Sequence, residues 1–161
     1  MLNEALAAVE ALPFVAALRN ARWGYALVNA GHIAGIALLF GAIVPLDLRL
    51  IGLWRSISIA ALARVLVPVA VAGLMLAVVM GALLFAIRAR EYAAMTLFQI
   101  KLLLVLSGIA NALLLRRAVA WERGRVDTGA MPPPRLRMAG ALSIAIWLSA
   151  MLCGRFVAFA D

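Results

Sequence analysis

Residues 23–46, WGYALVNAGHIAGIALLFGAIVPL, run from a tryptophan to a proline-leucine pair without one lysine, arginine, aspartate or glutamate. A helix needs about 20 apolar residues, at 1.5 Å rise each, to cross a hydrocarbon core of about 30 Å. The run is long enough, and it carries the only histidine of the chain, His32. Three further stretches of comparable character follow at 65–87, 98–115 and 138–159. The expected fold is therefore all-α: an integral membrane four-helix bundle in a single domain spanning 1–161.

Composition agrees. Of the 161 residues, 67% are hydrophobic, and the mean hydropathy is +1.08. Soluble domains hold about 45–50% apolar residues, so lipid rather than a protein core must solvate much of this surface. The net charge of +8 comes mostly from arginines between the runs, where they meet anionic headgroups. It does not mark a nucleic-acid binder, and no such motif is present. One cysteine, Cys153, excludes an internal disulfide and a CxxC zinc site.

The first 22 residues carry Glu4 and Glu10 where a secretory signal would be basic, and Pro13 interrupts them. Leu2, Ala5, Leu6, Val9, Leu12 and Ala16 recur at helical spacing, which predicts an amphipathic surface helix over about 2–20. Nine basic residues lie in the first and third connections: Arg49, Arg55, Arg64, Arg116, Arg117, Arg123, Arg125, Arg135 and Arg137. Six lie on the other side: Arg19, Arg22, Arg88, Arg90, Lys101 and Arg155. The positive-inside rule then places those two loops in the cytoplasm and both termini in the periplasm of a bacterial inner membrane. Ser58 is expected to cap the second span, and Pro132-Pro133-Pro134 to stiffen the approach to the fourth. Asp47 and Arg49 read as a structural ion pair or interface contact.

The polar residues inside the spans carry the functional reading. Tyr25, Asn29 and His32 follow at intervals of four and three, so they share one face of the first helix. Counting inward from the helix ends puts His32, Met80 and Met151 in one layer, with Lys101 and Arg155 nearer the surface. His32 can serve as the axial ligand of a b-type haem, with Met80 or Met151 as second ligand and Lys101 and Arg155 near the propionates. It can also hold copper with Met80, Met151 and Cys153. The plainest alternative is a hydrogen-bonded interhelical histidine paired with Asn29, Tyr25 or Asn111. Asn111 lies too deep to reach water and needs a partner, whereas Lys101 can snorkel outward.

Gly31 and Gly35, and Gly73, Ala77 and Gly81, form small-residue stripes suited to close helix packing or to the face of a flat ligand. Trp147, midway along the last run, packs on lipid or on a ring-shaped ligand. No Ser-His-Asp, HExxH or phosphate-loop pattern occurs, so no catalytic residues are assigned.

The stretch His32-Ile-Ala-Gly-Ile-Ala-Leu-Leu-Phe-Gly-Ala-Ile-Val-Pro-Leu-Asp-Leu-Arg-Leu, with Gly81-Ala-Leu-Leu-Phe-Ala, Phe98-Gln-Ile-Lys101 and Asn111-Ala-Leu, resembles a family of bacterial four-helix inner-membrane proteins over nearly the whole chain. More distantly it resembles the membrane domain of copper-resistance D-type proteins, which share a histidine in a glycine-rich first helix. The family's third helix often carries a histidine shortly after the asparagine. Leu113, Leu114 and Leu115 stand there in this chain, a departure from the family that counts against a two-histidine haem site within one subunit. The expected function is a small subunit of a membrane redox assembly holding haem b at His32 for electron transfer. The rival is a cofactor-free accessory subunit whose glycine faces bind a larger complex, and copper handling is a third reading. Expected partners are the bilayer and another membrane protein or a second copy, without nucleic acid.

Overall fold

The structure is a computed structural model that describes residues 1–122, 129–157 and 159. Its helices are α1 (Leu2–Glu10), α2 (Pro13–Asn20), α3 (Gly24–Ile51), α4 (Ile59–Ile87), α5 (Ala89–Ala94), α6 (Thr96–Glu122) and α7 (Pro134–Val157), with no strand among the described residues. Helices α3, α4, α6 and α7 contain segments long and apolar enough to cross a membrane. Within their most apolar windows only 6% of α6 and 28% of α7, the two extremes, are buried inside the protein. So little internal cover for so apolar a surface means that hydrocarbon solvates the bundle.

Helix α3 is central: it packs on α4 and on α7, and α6 packs on the far side of α7. Backbones of α4 and α6 do not pack on each other, so the four helices leave a gap along one side.

The glycines explain these contacts. A Cβ on Gly35 would stand 2.5 Å from the amide nitrogen of Ala77, and one on Gly73 would stand 2.5 Å from that of Leu39. Both distances are to backbone, which cannot move aside as a side chain can, so α3 and α4 touch main chain to main chain. Gly140 does the same for α7 against α3, where a Cβ would lie 2.9 Å from the carbonyl oxygen of Asp47. The two small-residue stripes are thus spent inside the chain rather than offered to another subunit.

Helix ends follow local chemistry, with some departures from expectation. Helices α3 and α4 extend to 24–51 and 59–87, past the apolar runs at 23–46 and 65–87. Hydropathy marks the lipid-soluble stretch, whereas the helix itself continues until Gly52, at φ +124, reverses the chain. Ser58 caps α4, its Oγ accepting from the amide of Ala61 at 3.4 Å. Pro134 opens α7. Pro13, at the first position of α2, splits the expected surface helix into α1 and α2, because it has no N–H to continue the ladder. The short α5 between α4 and α6 has no counterpart in the hydrophobic pattern.

Asp47 and Arg49 do not form an ion pair. Residues two apart on a helix point to different sides. Arg49, fully buried, instead donates from Nε to the Ile57 carbonyl at 2.6 Å and from Nη2 to the Arg55 carbonyl at 3.3 Å, tying down the α3–α4 loop. Asp47 is buried in the α3–α7 contact near Ser143, and its Oδ2 has no partner among the described residues.

At the opposite end, α1, α2 and α5 cap the bundle. Val15 packs with Ala86 and Ile87 at the end of α4, and Arg19 donates to the carbonyls of Ile87 at 3.0 Å and Glu10 at 3.2 Å. The Glu10 carboxylate accepts from the backbone amide of Arg90 at 2.9 Å and pairs with its guanidinium at 2.9 Å. These bonds, the backbone amide foremost, hold the Glu10 carboxyl below its ordinary value of 4.5. A depressed folded value contributes stability that is present above pH 4.5 and lost as pH falls through the folded value. A nitroxide at Leu12→Cys, in a Cys153→Ser background, is therefore expected to gain mobility below that pH. Glu10→Gln should weaken the docking at neutral pH and remove the acid dependence.

A histidine-bearing cleft open on one side

The gap between α4 and α6 leads into a cleft of about 340 Å³ that all four long helices line. That volume falls at the small end of ligand sites, which run from about 300 to 1,000 Å³. Its floor is Leu39, Ala77, Trp147 and Ala150, all buried. Among the described residues only two nitrogen bases, His32 and Lys101, interrupt an otherwise apolar wall, and no carboxylate lines it.

His32 is held across helices. Its Nδ1 lies 2.7 Å from the carbonyl oxygen of Ala77 on α4. A carbonyl can only accept, so Nδ1 carries the proton, and in the neutral ring Nε2 keeps its lone pair. The sequence pointed to Asn29, Tyr25 or Asn111 as the partner. The bond goes instead to a neighbouring helix, because Gly35 brings the α4 backbone within reach. Gly81 completes the seat: a Cβ there would lie 3.0 Å from the imidazole Cε1. A glycine against a flat ring is the arrangement a larger residue would displace.

The other residues singled out divide into two groups. Met151 and Lys101 line the cleft with His32. The Lys101 Nζ lies 3.3 Å from where a Cβ on Gly154 would be, near the outer end of α7. Met80 is at the right depth but on the wrong face, with its Sδ 3.2 Å from the position of a Cβ on Gly31. Since Gly81 faces the imidazole, the residue before it is turned about 100° away. Arg155 lies over the ring of Phe159, 4.6 Å from its centroid, and does not line the cleft. Tyr25 sits beside Tyr92, about 10 Å outward from His32 along α3. Asn29 is half-buried and outside the cleft. The stripe read from spacing therefore contributes only His32 to the site.

Asn111 finds its partner in the Ala139 carbonyl of α7, with Nδ2 donating at 3.1 Å. Ser107 bonds back to Leu103 of its own helix at 2.8 Å. Trp147 is buried over Gly108 of α6, where a Cβ would meet its ring at 2.8 Å. Its Nε1 has no partner among the described residues. Phe85 of α4 and Phe98 of α6 stack at 5.4 Å between centroids and bridge the gap at its capped end. Ala77 was read only as one of a small-residue stripe, not as the imidazole's partner, and Phe85 and Phe98 were given no role, since no spacing rule distinguishes them from ordinary lipid-facing residues.

The donor chemistry would suit a haem held by His32: an imidazole whose tautomer is fixed by a carbonyl, aromatic and apolar walls, and a nearby cation for a carboxylate. It fits copper less well, since of the expected soft ligands only Met151 shares the cleft with His32. No group of three or more histidine, cysteine, aspartate and glutamate side chains suited to a metal ion occurs among the described residues. Comparison with protein-family models, curated proteins and solved structures returns no match for this chain.

Proposed function

We propose that the protein is a small haem-binding subunit of a membrane electron-transfer assembly, with His32 as the axial ligand of a b-type haem in the cleft. The observation that carries this reading is the 2.7 Å contact between His32 Nδ1 and the Ala77 carbonyl. It orients the ring and leaves the Nε2 lone pair free to ligate. Bound haem would supply reversible one-electron iron chemistry. The chain's own contribution is to hold the imidazole through Ala77 and Gly81, to exclude water with the apolar floor, and to offer Lys101 to a carboxylate. Met151 is the one thioether in the cleft available as a second ligand.

The same proposal sets the protein in a bacterial inner membrane with its arginine-rich loops cytoplasmic, by the charge asymmetry described above, and gives it a redox partner in the bilayer. The likeness to copper-resistance D-type membrane domains belongs to this proposal as well. In the accessory-subunit reading the arginine-rich loops rather than the glycine faces would meet the partner, since those glycines contact neighbouring helices of the same chain.

The test is the visible spectrum of detergent-purified protein, oxidised and dithionite-reduced, with a parallel metal analysis. A Soret band and sharpened α and β bands on reduction are expected. A featureless spectrum from protein expressed with ample haem would overturn the reading.

A further inference from the structure

The cleft is shut toward the capped end and open toward hydrocarbon. Phe85 and Phe98 stack at 5.4 Å, and Tyr92 of α5 lies 5.7 Å from Phe98. Beyond that lid α4 and α6 part. Val78 on α4 and Leu102 on α6 both line the cleft, yet they are 49% and 48% exposed, so they form the lips of a mouth. Val78 and Leu102 lie within the membrane-crossing segments of α4 and α6. What meets the mouth is therefore lipid chain, not water.

Inside, Lys101 forms no ion pair among the described residues, and no carboxylate among them lines the cleft. An ammonium within a membrane span calls for an anionic partner or a polar path, and the described walls offer no anion. His32, with Nδ1 committed to Ala77, adds a second base and no acid.

We infer that the cleft takes an apolar-bodied carboxylic acid out of the bilayer through the α4–α6 mouth, with its carboxylate on Lys101. Haem, through its propionates, and a long-chain fatty acid share that chemistry. The inference rests on the cleft of the preceding proposal but not on iron, so either can fail alone.

Trp147 on the floor is the reporter. A variant with Trp23, Trp54 and Trp121 changed to phenylalanine leaves it as the sole tryptophan. In phosphatidylcholine vesicles, dibromostearic acid is expected to quench its emission saturably, and the methyl ester of that acid to act about tenfold more weakly, the value of one charge-assisted hydrogen bond. Lys101→Met should erase the difference between acid and ester. Val78→Phe with Leu102→Phe should suppress quenching by both probes; these positions face lipid, so larger apolar side chains leave the fold intact. Absent quenching, equal quenching by acid and ester, or quenching that survives the plugged mouth would each overturn the inference.

Protein that purifies with a Soret band is read by haem content instead. The plugged variant and Lys101→Met should each carry about tenfold less haem at limiting haem supply. Full haem content in both would sink the lateral-access inference and leave the haem reading standing. Saturable, acid-selective quenching in colourless protein would do the reverse.

Discussion

Gly35→Leu is expected to abolish the close α3–α4 contact and to destabilise the bundle by about 3 kcal/mol or more. The physical cause is the 2.5 Å separation between an added Cβ and the Ala77 amide nitrogen, with the Gly73 carbonyl a further 2.9 Å neighbour. Neither atom can rotate away, so the helices must part along their length. Parting them also withdraws the Ala77 carbonyl from His32, and the site should be lost together with the fold. Gly41→Ala is the matched control. Nothing lies within 4 Å of a Cβ at Gly41, and helix propensity favours alanine by up to about 1 kcal/mol. Thermal unfolding in detergent should separate the two variants clearly. Equal midpoints would mean that α3 and α4 do not meet main chain to main chain.

His32→Ala carries the second large effect. With the only imidazole removed, haem content is expected to fall by well over tenfold, since loss of an outer-shell partner alone typically costs 10–100-fold. Folding should suffer less than in Gly35→Leu, because the ring lies in a cleft rather than in a main-chain contact. His32→Gly with imidazole added to the medium should restore part of the Soret band, a rescue that a packing role could not produce. Gly81→Leu gives an independent check. It leaves His32 in place but pushes on its ring, from which a Cβ would stand 3.0 Å away, so it should lower haem content without removing the ligand. A His32→Ala protein with undiminished haem would place the ligand elsewhere and end the proposal for this cleft.

These two series show where sequence reading stops. The small-residue spacing set Gly35 apart from Gly41 as a packing glycine, but not which backbone it would meet, and that proves to be the Ala77 amide. Met80 and Met151 were equally placed by depth, and only Met151 lines the cleft. Counting residues along a helix measures height in the membrane well, at 1.5 Å per residue, but fixes the rotation of each helix about its own axis poorly. The weak amphipathicity of these spans is the reason: with lipid on one side and apolar protein on the other, hydrophobicity marks no inward face. The same ambiguity hid the destination of the His32 proton and the stacking of Phe85 on Phe98.

The sequence by itself determined that four apolar helices cross a bilayer, that Ser58 begins the second of them, and that His32 is the one ionisable ring at depth. Each of these depends on local chemistry or on the transfer of side chains into lipid, which a single chain segment expresses without its neighbours. Only the tertiary structure decided that α4 and α6 stand apart, that Ala77 fixes the imidazole, and that Lys101 and Met151 share its cleft while Arg155, Met80, Tyr25 and Asn29 do not. Those outcomes depend on which backbones approach to contact distance, and that is settled by the fit of Gly35 to Ala77, Gly140 to Asp47 and Gly108 to Trp147 between segments far apart in the chain.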